Sequence, residues 1–137
     1  MQEQLSTTLR SLPDATLLNL VFFAIKAEKW KDSLQVLNAD SRADAIEEVM
    51  GLGMKSATVT YEGLMAGLSD PRVDTIYLLT DGEPTAGEVI EPDRIRRQVG
   101  AWNETRLITI HTISVGRDSP LLRDLAEDSG GRYKRID

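Results

Sequence analysis

The chain alternates apolar runs with segments of helical periodicity, and this alternation limits the folds it can adopt. Apolar runs occupy residues 16–25, 73–80 and 106–116. Residues 17–25 and 75–80 are almost continuously apolar, which is typical of strands covered on both faces. Because helical segments separate the runs, the pattern predicts a three-layer α/β/α fold. Its sheet is mostly parallel, with helices on both faces.

Start and stop signals define the helical segments. Ser41 is the predicted N-cap of the second helix. Ser119 is the predicted N-cap of the last helix and Pro120 its first helical residue, because serine is favoured at the N-cap and proline at the first position. The predicted helices cover residues 5–12, 41–52, 61–70, 92–102 and 119–131. Residues 26–37 predict an edge strand or hairpin, and residues 132–136 predict a short final strand.

Composition narrows the function classes. The 137 residues contain no cysteine, so the chain has no disulfide, no thiolate metal site and no cysteine nucleophile. A net charge of −6 disfavours nucleic acid as a partner and suits a cation. No apolar run approaches a membrane span, and the first residues do not resemble a signal peptide, so the chain is expected to be soluble. Its compartment stays undefined.

The clearest chemical signal is "TDGEPT", residues 80–85, at the end of the second apolar run. In parallel α/β sheets, ligands bind outside the carboxyl ends of the strands. Asp81 is expected at such an end. A carboxylate in a Gly/Pro turn also hydrogen-bonds its own loop, so Asp81 can serve as a turn former or as a metal ligand.

Five segments in order resemble a von Willebrand factor A domain over nearly the whole chain. They are "SLPDATLLNLVFF", "SATVTYEGL", "DTIYLLTDGEPT", "HTISVG" and "LAEDSGGRY". The resemblance implies a non-catalytic protein-binding module that holds Mg²⁺ or Mn²⁺ at the top of its sheet. Mg²⁺ takes about six oxygen ligands. In the family, three loops supply the protein ligands, and an acidic group of the partner completes the shell.

The match to this metal site is partial. Thr58 matches the threonine of the second loop, and Asp81 matches the aspartate of the third loop. Glu83 is a candidate for one more oxygen. The first-loop motif, Asp-x-Ser-x-Ser, occurs nowhere in the sequence. The resemblance also implies a partner-binding surface formed by four loop residues: Ser56, Gly82, Pro84 and Thr85.

The family places its first strand in the middle of the sheet, and no segment here matches it. Residues 1–137 are therefore expected to form a single von Willebrand factor A-like domain, truncated at its N-terminus. The strands matching 17–25 and 75–80 would lose their hydrogen-bond partners, at about 1–3 kcal/mol for each buried unpaired group. Either these strands pair with each other, or another chain fills the gap, or the fold rearranges. An open edge predicts a homodimer by strand pairing or exchange.

Three functions are compatible with the sequence. The first is a protein-interaction module with an incomplete metal site. The second is a working Mg²⁺-dependent adhesion module whose shell is completed by water, Glu83 or another chain. The third is a Mg²⁺-dependent hydrolase that uses Asp81, although the chain has neither a G-x-S-x-G elbow nor a phosphate-binding loop. His111, the only histidine, is predicted to be a packing residue.

Overall fold

A computed structural model of the chain describes residues 2–23, 27–51, 60–80, 84 and 87–136. Its helices are α1 (Gln2–Ser11), α2 (Ala39–Met50), α3 (Thr60–Leu68), α4 (Pro92–Arg106) and α5 (Pro120–Ser129). Its strands are β1 (Leu17–Leu18), β2 (Val21–Phe23), β3 (Ala27–Lys29), β4 (Gln35–Val36), β5 (Thr75–Thr80), β6 (Thr109–Val115) and β7 (Tyr133–Ile136). The order of strands and helices confirms the α/β class.

A parallel sheet in the order β5–β6–β7 forms the larger half of the molecule. Burial alternates strictly along β6, where Ile110, Thr112 and Ser114 face the core. This face packs on α3, α4 and α5, whose buried side chains include Leu64, Ile95 and Leu122. Core-facing side chains therefore recur at every second residue of the strand and about every 3.6 residues of the helices, and both sets point into the same core.

The first apolar run does not form one strand as predicted. It divides into β1, which pairs with β4, and β2, which pairs with β3 in an antiparallel hairpin. Asn19 lies at the division. Its side-chain oxygen accepts the N–H groups of Leu20 and Lys31, and its amide donates to the Lys31 carbonyl. The side chain thus satisfies the groups that a continuing ladder would use. The edge strand or hairpin predicted within residues 26–37 is found as two short strands, β3 and β4, which pair with β2 and β1 and not with each other, so the hairpin lies earlier in the chain than predicted.

Helix starts follow local capping chemistry. The prediction of Ser41 as the N-cap of α2 is wrong by three residues. Asn38 is the N-cap, and Ser41 completes the capping box by accepting the Asn38 N–H. The prediction for α5 is confirmed, because the Ser119 hydroxyl accepts the Leu122 N–H and Pro120 is the first helical residue.

The C-terminal end of α3 is stabilised by a residue that is distant in the sequence. Arg106, the last residue of α4, donates hydrogen bonds to the carbonyl oxygens of Leu68, Asp70 and Val73. Helix ends leave carbonyls without intrahelical partners. The guanidinium therefore supplies donors to α3 and to the turn that leads into β5.

Two neighbouring glycines close α5 for different reasons. Gly130 has φ +77°, in the left-handed region that favours glycine. Gly131 packs against β6, and a β-carbon there would lie 1.9 Å from the carbonyl oxygen of Ile110. The first glycine is required by its backbone conformation and the second by close approach.

The buried apolar side chains that the structure describes form two clusters. One lies between β5–β6–β7 and helices α3 to α5. The other joins α1, α2 and the chain before β2, through Leu9, Leu20, Ala45 and Val49. Within the described residues, the β2–β3 hairpin and β5 belong to separate sheets. The alternative that these strands close up and pair with each other is therefore not observed in that part of the chain.

Candidate functional site

Most of the predicted site lies outside the described residues. Ser56, Thr58, Asp81, Gly82, Glu83 and Thr85 all belong to this group. Pro84 is described and is half-buried. The structure consequently gives the elements that flank the two candidate loops, and the ligand geometry of Thr58, Asp81 and Glu83 stays a prediction.

The flanking elements lie in well-packed positions. Thr80, the last residue of β5, is buried and is in register with Ser114 of β6. Thr60, the first residue of α3, is 1% exposed. Because β5 and β6 are parallel and in register, Thr80 and Ser114 lie together at the carboxyl edge of the sheet. This edge is where α/β proteins bind ligands.

Glu62 in the first turn of α3 anchors the loop that follows β5. Its Oε1 accepts the Glu88 N–H at 2.8 Å. Gly87 has φ +105°, and a β-carbon there would lie 2.0 Å from Glu62 Oε2. Sequence analysis missed this tether. Its only signal was a glycine beside a glutamate in a polar loop, which also fits an ordinary loop.

The charge on Glu62 raises the question of a metal, since Glu62 Oε2 and Thr60 Oγ1 are buried with no hydrogen-bond partner in the described part of the chain. The carboxylate is packed against the Gly87 backbone, and its other oxygen is already bonded to Glu88. The described residues contain no group of three acidic or histidine side chains suited to a metal. They therefore do not complete a Mg²⁺ shell, and Glu62 serves as a loop anchor.

A second polar cluster lies after β6, close to its carboxyl end. The Tyr133 hydroxyl donates to Asp118 Oδ1 at 2.5 Å, and Arg123 donates to both oxygens of Asp118 at 2.8 and 3.0 Å. The Ser119 N–H donates to the Tyr133 hydroxyl. The hydrogen bond from Tyr133, then that from Arg123, lowers the pKa of Asp118 below its ordinary value. The carboxylate is engaged by two donors, which fits a structural role.

His111 is a packing residue, as predicted. Its Nδ1 accepts the Arg132 N–H at 3.1 Å, and its ring stacks on Tyr77 with a centroid separation of 5.0 Å. Because that nitrogen is occupied by the segment that leads into β7, the histidine links β5, β6 and β7.

Comparison with known proteins agrees with the fold and the loop order. The sequence model of the von Willebrand factor type A domain matches residues 1–135. The chain belongs to this family. Members are typically protein-interaction modules.

Relatives are found among large human proteins. The chain is 29% identical to von Willebrand factor A domain-containing protein 3A over 119 residues, which is 84% of the chain and 10% of that protein. It is 30% identical to inter-alpha-trypsin inhibitor heavy chain H4 over 149 residues, which is 98% of the chain and 16% of that protein. The chain thus spans about a tenth to a sixth of the length of these relatives.

Solved structures show the same fold. A von Willebrand factor type A protein from Catenulispora acidiphila superimposes with a TM-score of 0.82 at 20% identity, over 99% of the chain and 33% of that structure. Proximal thread matrix protein 1 from the mussel byssus, solved with a zinc-occupied MIDAS motif, gives a TM-score of 0.68 at 19% identity. That match covers 98% of the chain and 35% of the mussel protein. Among the described residues, no helix is long and apolar enough to cross a membrane.

Proposed function

We propose that residues 1–137 form one domain that binds a protein partner, performs no catalysis and carries an incomplete metal-ion-dependent adhesion site. One observation carries the proposal: the sequence contains no Asp-x-Ser-x-Ser motif. The family resemblance assigns several ligands to that motif. Without it, the two matched loops offer Thr58 and Asp81, with Glu83 as a third candidate.

Ligand number supports weak metal binding. Mg²⁺ requires about six oxygens in an octahedron and gives up its water reluctantly. One hydroxyl and one or two carboxylates leave most of the shell to water, so the ion would be weakly held. The same loops, with Ser56, Gly82, Pro84 and Thr85, are then proposed to contact the partner directly.

Calorimetric titration with Mg²⁺ and with Mn²⁺ tests the proposal. The chain and the double variant Thr58→Ala/Asp81→Ala are titrated side by side in metal-free buffer. We expect no saturable heat from either protein at millimolar cation. Saturable binding by the chain, lost in the double variant, would contradict the incomplete site. The variant Asp118→Asn is the matched control, because its carboxylate lies outside the two matched loops.

The second candidate is a working metal-dependent adhesion module, and a relative favours it. The mussel protein was solved with zinc in its MIDAS motif, so metal binding occurs in the family. In this chain, water, Glu83 or another polypeptide would complete the shell. Binding of an acidic partner that disappears in EDTA and returns with Mg²⁺ would establish this function in place of the first.

The remaining alternative is a Mg²⁺-dependent hydrolase using Asp81. Apart from Asp81, the sequence shows no pattern of a nucleophile with an adjacent base. Turnover of a phosphate ester that disappears in Asp81→Ala would support the hydrolase, and a rate equal to that of buffer would support the interaction module.

The edge of β5 that faces away from β6 pairs with no other strand of the described residues. We therefore retain, as a proposal, the predicted homodimer formed by strand pairing or exchange. Sedimentation equilibrium tests it. A concentration-dependent dimer would support pairing between copies, and a monomeric mass at all concentrations would contradict it.

A further inference from the structure

A groove of about 270 Å³ lies between α4 and α5 on the helix-covered face of the parallel sheet. Its lining includes Ile108 and Ile110 around the start of β6, so it lies at the amino end of the sheet, opposite Thr80 and Ser114. We propose that this groove accepts one arginine side chain of a partner protein, with the apolar stem in the groove and the guanidinium at Glu104. The inference rests on the proposed function only in that the occupant belongs to a protein, and it uses none of the metal-loop residues.

The floor of the groove is apolar and leaves room for a side chain. It is formed by Val99 of α4, Leu125 of α5 and Ile110 of β6, all of them buried. Gly100 of α4 also lines the groove, and a β-carbon there would meet no atom within 4 Å. Because Gly100 has no side chain, α4 has a notch above this floor. An apolar stem that fills the notch is removed from water, which favours binding.

Charge at the rim of the groove favours a cation. Arg96 is the one basic residue of the described lining, and Asp128 already accepts two hydrogen bonds from it, at 2.7 and 2.9 Å. Asp124 lies 3.5 Å from the same guanidinium. Glu104 also lines the groove, is exposed, and has no hydrogen bond or ion pair within the described part of the chain. The positive charge is thus paired, and the carboxylate of Glu104 is left for an incoming cation.

The ends of two helices add to this preference. Helix α4 ends at Arg106 and α5 at Ser129, and the last turn of each lines the groove through Glu104 and Asp128. The last carbonyls of a helix have no intrahelical partner and give that end a partial negative charge. Arginine suits such a site, because its stem is apolar and its guanidinium offers several N–H donors to carboxylate and carbonyl oxygens.

Leu107 is the second feature that points to an occupant. It follows α4 directly, has a left-handed φ of 55° and is 80% exposed, and it lines the groove. This conformation is unfavourable for leucine, and glycine is preferred at such a position. The strain brings no buried contact in the free chain, and strain of this kind is a mark of functional positions. A partner segment that covers Leu107 while its arginine fills the groove would bury this side chain.

A polypeptide fits these features better than a free small cation or an anion. A small guanidinium compound would fill the notch and reach Glu104 but would leave Leu107 exposed. An anion would have to displace Asp128 from Arg96. We therefore expect the preferred segment to carry an apolar residue beside its arginine, so that the pair covers both the groove and Leu107. Arginine is among the residues that most often dominate the binding energy of protein interfaces.

The test is an NMR titration of the ¹⁵N-labelled full chain, in EDTA, with the capped pentapeptide Ala-Leu-Arg-Leu-Ala. The matched control peptide carries citrulline, a neutral urea of nearly the same shape, in place of the arginine. We expect saturable shifts of the Gly100 N–H and of the Asn103 side-chain amide, which donates to the Ile108 carbonyl beside the groove. The citrulline peptide should bind about tenfold more weakly, as the loss of a charged hydrogen bond predicts.

Three variants examine the groove and its independence from the metal loops. Glu104→Gln should bind the arginine and citrulline peptides with equal affinity. Gly100→Leu places a side chain in the notch, where a β-carbon meets no other atom, so we expect about tenfold or weaker binding with an unchanged circular dichroism spectrum. Asp81→Ala should bind the arginine peptide as tightly as the unaltered chain, so failure of the proposed metal-loop function would leave this result unaffected.

Leu107→Gly separates a binding role from a structural one. This variant removes the strain, so its thermal midpoint should rise while its affinity for the arginine peptide falls. A merely structural role of Leu107 would not produce that opposite pair of changes. Trp102→Ser is the matched control, because Trp102 is 51% exposed on the same helix but outside the groove lining. Its affinity for the peptide should equal that of the unaltered chain.

Four results would overturn the inference. One is the absence of saturable shifts around the groove in the unaltered chain. Another is equal affinity for the arginine and citrulline peptides, which needs no protein variant. A third is a folded Gly100→Leu variant that binds the peptide as tightly as the unaltered chain. The last is equal affinity for the pentapeptide and for agmatine, which has the guanidinium of arginine but no peptide backbone, since a small cation would then be the occupant.

Discussion

Substitution of Gly131 by alanine should be among the most damaging single-methyl changes in this chain. The new β-carbon would lie 1.9 Å from the Ile110 carbonyl oxygen, whereas ordinary contact begins at 3.4 Å. Both groups belong to the backbone, so no side-chain rotation relieves the clash. The segment must move away from β6. It would then weaken the bonds from Thr112 N–H to the Arg132 carbonyl and from Arg132 N–H to His111.

Overpacking of this kind costs about 3 kcal/mol, a large part of the roughly 5–15 kcal/mol that stabilises a domain. With a urea m-value of about 1–3 kcal/mol/M, the unfolding midpoint should fall by about 1 M or more. Equilibrium unfolding in urea, followed by circular dichroism, measures this shift.

Gly130→Ala is the matched control one residue earlier. Its backbone has φ +77°, and no atom lies within 4 Å of the place that the new methyl group would occupy. The cost should be only that of a left-handed alanine, about 1 kcal/mol. A Gly131→Ala variant that unfolds at the midpoint of the unaltered chain, or above that of Gly130→Ala, would refute the close-approach argument.

Three further substitutions test other parts of the structure. Arg106→Met should lower the free energy of unfolding by about 3 kcal/mol in urea titration, because three carbonyls lose a charged donor; equal stability would contradict the bonding. Leu107→Gly should raise the free energy of unfolding by about 0.5–1 kcal/mol, because Leu107 is 80% exposed and has a left-handed φ of 55° at the end of α4. A lower thermal midpoint of this variant would count against the prediction. The pKa of Asp118 is lowered in the folded chain, so its ionised carboxylate stabilises the fold at pH values above its unfolded pKa. This stabilisation is lost as the pH falls through the folded pKa. The stability difference between the chain and Asp118→Asn should therefore shrink as pH falls below about 4, and a constant difference would contradict the sign.

Elements specified by neighbouring residues were predictable from the sequence. Helix α5 has its N-cap Ser119, its first-turn proline and its closing Gly130 in one short segment. Strand β5 is a single apolar run that follows the Asp70-Pro71 turn. The parallel order of β5, β6 and β7 followed from the helices between them, because parallel strands need long crossover connections.

Features that depend on distant residues were not predictable. Asn19 ends β1 by bonding to Lys31, twelve residues away. Glu62 holds the loop at Glu88 across 26 residues. Neither residue type signals its partner, since asparagine and glutamate are common at exposed positions. The candidate site itself, Thr58 and Asp81, was found by loop order and stays a prediction.

The division of the apolar core into two clusters affects how the chain opens in solution. Among the residues whose burial the structure describes, the cluster at α1 and α2 contains four buried residues, whereas the cluster around β5 and β6 contains eleven. Local opening follows such differences in packing, so amide protons of α1 and α2 should exchange with solvent well before those of β6.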